Sequence, residues 1–363
     1  MRLLICAGGT GGGVYPALAV LQRLEDKVDE VLWVGGQGGM EEELVRRAGV
    51  PFRAVPAAGV HGVGLRALPG NLARLARGYL AARRLLAAFR PDVLFFTGGY
   101  VAVPVGLAGR RIPTLLYVPD IEPGLALKTL ARLADRIAVT AEASRAFFAP
   151  RAPVVVTGYP VRRDLLNWDR QRARRALSLP IEARVLLVFG GSKGARSINR
   201  ALLAALPRLL EAGLHIVHIT GRLDWPEVSR AREALRAEQA SRYRAYPYLH
   251  EEMGAALAAA DVVVSRAGAS TLGEFPAFGL PAILVPYPHA WRYQQVNAEY
   301  LARHGAALIV PDAALPTQLA ETLLALFAEP SRLEAMRRAM RRLAQPQAAE
   351  HIAAQLLALG RKE

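Results

Sequence analysis

The chain has 363 residues, long enough for two domains with buried cores at ordinary domain size. Hydrophobic residues make up 52% and charged residues 21%, which excludes an intrinsically disordered chain; one cysteine, Cys6, excludes a disulfide framework and a cysteine-built zinc site and points to a reducing compartment. The net charge is +15, and all but four of the 46 basic residues are arginine. Such a balance favours anionic partners (phosphorylated substrates, an acidic membrane surface or nucleic acid), with a solvated arginine-rich surface as the plain alternative.

The first residues run straight into glycines and lack a signal-peptide layout. The longest apolar stretch, residues 93–109, is interrupted by Gly98, Gly99, Pro104 and Gly106, so a soluble protein is expected. In chain order, apolar runs of strand length fall at 3–7, 31–34, 93–96, 114–118, 136–140 and 154–157, then at 185–189, 215–220, 262–265, 282–285 and 307–310. Alanine- and leucine-rich stretches with helical spacing lie between them. Continuous apolar strands alternating with helices predict an α/β fold with parallel sheets covered on both faces.

One plan is used twice. Residues 3–7 lead into Gly8-Gly9-Thr10-Gly11-Gly12, and residues 185–189 into Gly190-Gly191-Ser192-Lys193-Gly194. Two Rossmann-like, doubly wound domains are expected, 1–160 and 161–339, divided near Gly158-Tyr159-Pro160. A helical pattern over 332–359 is expected to pack back across the domains, so that a helix at about 340–363 joins the first. Open parallel sheets take ligands at the carboxyl ends of their strands.

A glycine turn between strand and helix lets amides approach an anion. The first turn lacks the last glycine of a dinucleotide fingerprint, and Gly35-Gly36-Gln37 stands where its acidic residue would be. Neither turn carries the Gly-Lys-Ser/Thr of a P-loop. The residues 261–274 are more informative: a strand ends at Ser265, Gly268 turns the chain, and a helix is expected from Ala269-Ser270-Thr271. Its amides would suit a pyrophosphate and Glu274, about a turn further, the two hydroxyls of a ribose. Thr271 and Glu274 also fit a capping box. His215 and His218 lie three apart on a strand, on opposite faces, and read as core rather than metal ligands.

These turns, with Val14-Tyr15-Pro16, Gly98-Gly99-Tyr100, Pro123-Gly124-Leu125-Ala126, Gly158-Tyr159-Pro160-Val161-Arg162, Gly279-Leu280-Pro281 and Gln294-Gln295-Val296-Asn297, resemble the MurG family in order and over nearly the whole chain. The resemblance implies a GT-B fold, two Rossmann-like domains around a cleft. It implies transfer of N-acetylglucosamine (GlcNAc) from UDP-GlcNAc to the muramoyl 4-hydroxyl of lipid I, giving lipid II for peptidoglycan, at the cytoplasmic face of the membrane. By the same resemblance Arg162 and Ser192 contact the diphosphate, Gly268, Ala269, Ser270, Thr271 and Leu272 supply amides to it, and Glu274 holds the ribose. Gln294, Gln295 and Asn297 bind the transferred sugar, Leu249 and His250 frame the uracil, and Thr10, Gly11 and Gly12 approach the reaction centre. No Asp-x-Asp occurs, so metal-independent transfer with inversion is expected and no cofactor is implied.

The chain departs from the family at two places. Gly13 stands where a histidine, a proposed base, usually follows Thr-Gly-Gly, and Tyr117-Val118 replaces a common His-Glu. The base role therefore falls to Asp120 first and His61 second, each with a structural alternative. Residues 65–91 hold six arginines and no acidic residue, with Leu72, Leu75, Tyr79, Ala82, Leu86 and Phe89 at helical spacing. A basic amphipathic helix suits an anionic membrane surface; an apolar stripe packed on the sheet is the alternative, favoured for Leu86 and Phe89. Other readings are a different GT-B UDP-sugar glycosyltransferase, a UDP-GlcNAc epimerase and, remotely, a nucleic-acid-binding protein, for which no motif appears.

Overall fold

The computed structural model describes residues 1–8, 11–39, 41–58, 68–191, 194–250, 252–289 and 292–361. Two compact units divide the chain: residues 1–162 with 345–363, and residues 163–344. The first holds seven parallel strands, β1 (Arg2–Cys6), β2 (Glu30–Gly36), β3 (Phe52–Val55), β4 (Val93–Phe96), β5 (Thr114–Val118), β6 (Arg136–Val139) and β7 (Val154–Val156). Their spatial order is β3-β2-β1-β4-β5-β6-β7. Side chains alternate across the pleat, so Leu3 and Ile5 join one buried core and Leu4 and Cys6 the other. Among its helices are α1 (Gly11–Leu21), α2 (Glu41–Arg47), α3 (Leu68–Phe89) and α4 (Ala102–Ala108). The helix Ala348–Gly360 buries Ile352 and Leu356 in the core of Leu3, Ile5 and Val14.

The second unit holds β8 (Val185–Phe189), β9 (His215–Ile219), β10 (Tyr243–Tyr246), β11 (Val262–Ser265), β12 (Ala282–Leu284) and β13 (Ala307–Ile309), in the order β10-β9-β8-β11-β12-β13 and all parallel. Both sheets start in the middle and run outward, so the order reverses between β1 and β4 and between β8 and β11. A crevice outside the strand ends forms at such a reversal.

Two strands, β3 and β10, have no counterpart among the apolar runs of the sequence. Both are edge strands with a polar residue inside, Phe52-Arg53-Ala54-Val55 and Tyr243-Arg244-Ala245-Tyr246, so no continuous apolar run marks them. The expected long C-terminal helix is two helices. Pro330–Arg342 belongs to the second unit and Ala348–Gly360 to the first, with Pro346 between them.

The helix α3 turns Ala82 and Leu86 into the sheet, with Leu75, Tyr79 and Phe89 partly covered, whereas Leu72 stays 53% exposed. Arg74, Arg77, Arg83 and Arg84 are exposed along it. No described helix is long and apolar enough to cross a membrane.

Candidate active site

In the first unit, β1 leads to Gly8 and α1 begins at Gly11, beside the turn Thr97-Gly98-Gly99 that follows β4. Gly99 has φ +91°, and a Cβ there would lie 3.2 Å from the backbone of Gly8; only glycine lets the two turns meet. The Thr97 hydroxyl donates to the carbonyl of Gly13 at 2.6 Å. Glu41 closes the other side, 2% exposed, accepting the Gly36 N–H at 2.8 Å. A Cβ at Gly13 would rest 3.4 Å from Thr97 O and Oγ1, which is ordinary contact. Backbone packing alone therefore does not demand glycine where the family carries histidine.

Tyr117 occupies the second departure. Its phenol bonds Thr140 Oγ1 at 2.8 Å and donates to Gly158 O at 3.3 Å. Burial pushes its pKa well up, the Thr140 bond works against this, and the nearby Asp120 charge adds to the rise. It stays a neutral phenol, unsuited to taking a proton. Asp120 lies half-buried just beyond the carboxyl end of β5. Glu122, two residues on and buried, pairs with Lys128 at 3.2 Å, a structural use. Arg162, the last residue of this unit's first segment, lies over the Tyr15 ring at 4.4 Å. Gly11, Gly12, Asp120 and Arg162 thus all follow the carboxyl ends of strands β1, β5 and β7. Thr10 and His61 lie outside the described residues.

In the second unit the turn after β8 enters the helix Arg196–Glu211. Gly194 has φ +78°, and a Cβ there would stand 2.4 Å from Thr220 O. A buried network fixes this contact: Asn199 Nδ2 donates to Thr220 O and to Asp224 Oδ2, each at 2.8 Å. Asn199 Oδ1 is 2.9 Å from His218 Nε2, and His218 Nδ1 is 2.8 Å from the Tyr243 hydroxyl. Arg196 pairs with Asp224 at 3.0 Å. Burial pushes the His218 pKa down to about 3, against a smaller upward pull from Asp224. His218 is thus a neutral strut, as its strand position suggested. Ser192 lies outside the described residues.

After β11 the chain forms a single 3₁₀ turn, Ala269–Leu272, and then a separate short helix, Glu274–Phe278, instead of one continuous helix. The residues preceding each start, Gly268 and Gly273, have no side chain to cap with. Thr271 lies inside the turn with its hydroxyl donating to Gly268 O at 2.8 Å, so the capping box does not form. The Thr271 amide already donates to Gly268 O at 3.0 Å, which leaves fewer amides for an anion. Glu274 is half-buried.

Neighbouring contacts hold this turn. Asn297 is fully buried and donates to Ala267 O at 3.1 Å. Arg266, which the sequence did not mark as functional, donates to Val285 O (3.2 Å) and Ser197 Oγ (2.8 Å), pairs with Asp312, and lies over the Tyr287 ring. Gln294 accepts the Tyr287 N–H at 2.9 Å on the Asn297 side of its helix, Tyr293–Arg303; Gln295 instead donates to Glu299 on an exposed side. Leu249 and His250 follow the carboxyl end of β10, with His250 against Tyr248. Among the described residues no group of three His, Cys, Asp or Glu side chains is placed to hold a metal ion.

Residues 3–139 match the glycosyltransferase family 28 N-terminal domain and residues 185–353 the family 28 C-terminal domain. A protein of Desulforudis audaxviator (strain MP104C) named UDP-N-acetylglucosamine--N-acetylmuramyl-(pentapeptide) pyrophosphoryl-undecaprenol N-acetylglucosamine transferase is 42% identical, over 97% of this chain and 96% of its own length. One of the same name from Roseiflexus sp. (strain RS-1) is 41% identical, over 97% and 94%. The crystal structure of Acinetobacter baumannii MurG superimposes with a TM-score of 0.77 at 29% identity, covering 98% of this chain and 99% of that one. With two parallel-sheet α/β units in the GT-B fold and this identity along nearly its whole length, the chain belongs to the MurG family of glycosyltransferases.

Proposed function

We infer that the enzyme transfers GlcNAc from UDP-GlcNAc to the muramoyl 4-hydroxyl of lipid I, forming lipid II for peptidoglycan synthesis. The observation that carries this reading is 42% identity to a transferase of that name over 97% of the chain, spanning both units. Most residues assigned to the donor belong to the second unit, and the acceptor falls to the first. Glu274 accepts hydrogen bonds from the ribose hydroxyls, Leu249 and His250 frame the uracil, and Gln294 with its neighbours meets the sugar. Arg162, Ser192 and the amides that remain free around Gly268 offset charge on the leaving diphosphate, the term worth most in such a reaction.

In the transfer, the acceptor oxygen attacks the anomeric carbon from the face opposite the diphosphate. The bond from carbon to phosphate oxygen breaks, its electron pair leaves with UDP, and the configuration inverts. The hydroxyl proton passes to Asp120, the carboxylate at the carboxyl edge of the first sheet; the buried phenol of Tyr117 cannot take it. The enzyme works at the cytoplasmic face of the membrane without crossing it, and the exposed arginines of α3 supply attraction to anionic lipid. Nucleic acid has no part in this reading.

The test is transfer from labelled UDP-GlcNAc to a lipid I analogue, with and without EDTA. The expected result is lipid II formation that EDTA leaves intact, with UDP released only when acceptor is present. Donor use without any transfer to the analogue would point to another UDP-sugar transferase. Epimerisation without acceptor would overturn the transferase reading.

A further inference from the structure

We propose that Tyr15 is a positioning residue for the transfer, its ring face holding the Arg162 guanidinium flat for the donor's diphosphate. The inference rests on Arg162 acting on that diphosphate and adds what aims it. Tyr15 stands four residues after Gly11, on the same face of α1. A Cβ at Gly11 would lie 3.0 Å from the Tyr15 ring carbon Cε2, so the ring edge is packed against the first turn of the helix. Across the ring face lies the guanidinium carbon of Arg162, 4.4 Å from the centroid. One side chain therefore ties the glycine turn after β1 to the cation after β7.

The chemistry of the contact suits this use. All five guanidinium N–H donors lie in one plane, and a ring stacked on that plane takes none of them. The arginine side chain has several rotatable bonds, and holding it beforehand removes an ordering cost otherwise met when the donor binds. Lysine at position 162 would keep the charge and lose the plane.

The test is a double-mutant cycle read through donor kinetics, with Tyr15→Leu and Arg162→Lys alone and together, and Tyr15→Phe as the conservative variant. Tyr15→Leu is expected to lower kcat/KM for UDP-GlcNAc about tenfold, the scale of a partly desolvated cation–π contact. Tyr15→Phe keeps the ring face and retains the donor kinetics. In the Arg162→Lys background Tyr15→Leu costs less than about twofold, because the two act as one unit. Effects that multiply, or a Tyr15→Leu enzyme with normal donor kinetics, overturn the inference. Normal donor kinetics in Arg162→Ala would instead overturn the role of Arg162 itself. Should Tyr15→Leu fail to fold, Tyr15→Met, which fills the space without a ring face, carries the same expectation.

Discussion

Acid is expected to loosen the second unit through His218. This residue has no exposed surface, both ring nitrogens are within hydrogen-bond distance of Tyr243 and Asn199, and its pKa lies at about 3. In the unfolded chain a histidine titrates near 6.5, so between these values the unfolded state binds more protons. The neutral strut therefore contributes fully above about pH 6.5, and its contribution falls as pH drops towards 3. Each pH unit below 6.5 costs about 1.4 kcal/mol, or ~2 kcal/mol at pH 5, a large part of an ordinary folding free energy. The assay is urea unfolding at about pH 7.5 and 5.0 for the native protein and His218→Gln. Carboxylates and His215, whose pKa burial also lowers, titrate in both proteins, so the difference between them isolates His218. At neutral pH the variant is expected to lose about 1–3 kcal/mol, through imperfect partners for Asn199 and Tyr243. Between the two pH values it should then lose ~2 kcal/mol less than the native protein. Equal pH dependence in the two would refute the argument. Because Asn199 also holds Thr220 O against Gly194, UDP affinity should fall in step with this loss.

Glu274→Ala should weaken UDP binding by roughly 2–3 kcal/mol in a titration, the scale of two charge-assisted bonds; unchanged affinity in a folded variant removes the ribose role. Asp120→Asn should lower kcat at least about tenfold while UDP affinity holds, and His61→Ala should do less. If both retain turnover, leaving-group stabilisation dominates and no side-chain base is needed. Neutralising Arg74, Arg77, Arg83 and Arg84 together should reduce binding to anionic vesicles and its salt sensitivity. Vesicle binding that stays the same would exclude α3 as the contact.

Most of the architecture was legible because central parallel strands are buried on both faces and announce themselves as unbroken apolar runs, as 93–96 and 185–189 do. The edge strands β3 and β10 were not, since one polar residue inside each breaks the run. The stripe of α3 was half legible. Spacing marks Ala82 and Leu86 as inward, but the exposure of Leu72 depends on where the helix overhangs its neighbours. Composition cannot convey that. Around the candidate site, the glycine turns and their places at the strand ends were readable from the sequence. The single 3₁₀ turn before Glu274 was not, because Thr271 and Glu274 have the same spacing in a continuous helix. The partners of Arg266 come from positions far apart in sequence, and nothing local marks them. Tyr15 was visible only as part of a motif, and its contact with Arg162 required the fold.

The first unit is written in two pieces, and that governs how the chain is built during synthesis. Residues 163–344 form a continuous segment whose core can close as soon as it has left the ribosome. Residues 1–162 emerge earlier yet stay unfinished, because Ile352 and Leu356 fill the gap beside Leu3, Ile5 and Val14. Until those residues arrive, one side of the β1–β4–β5 sheet has apolar surface open to water and to other nascent chains. Translation order and folding order are thus inverted: residues 1–162, made before residues 163–344, are the last to seal, and a chain stopped just after residue 344 keeps a closed second unit tethered to an adhesive first one.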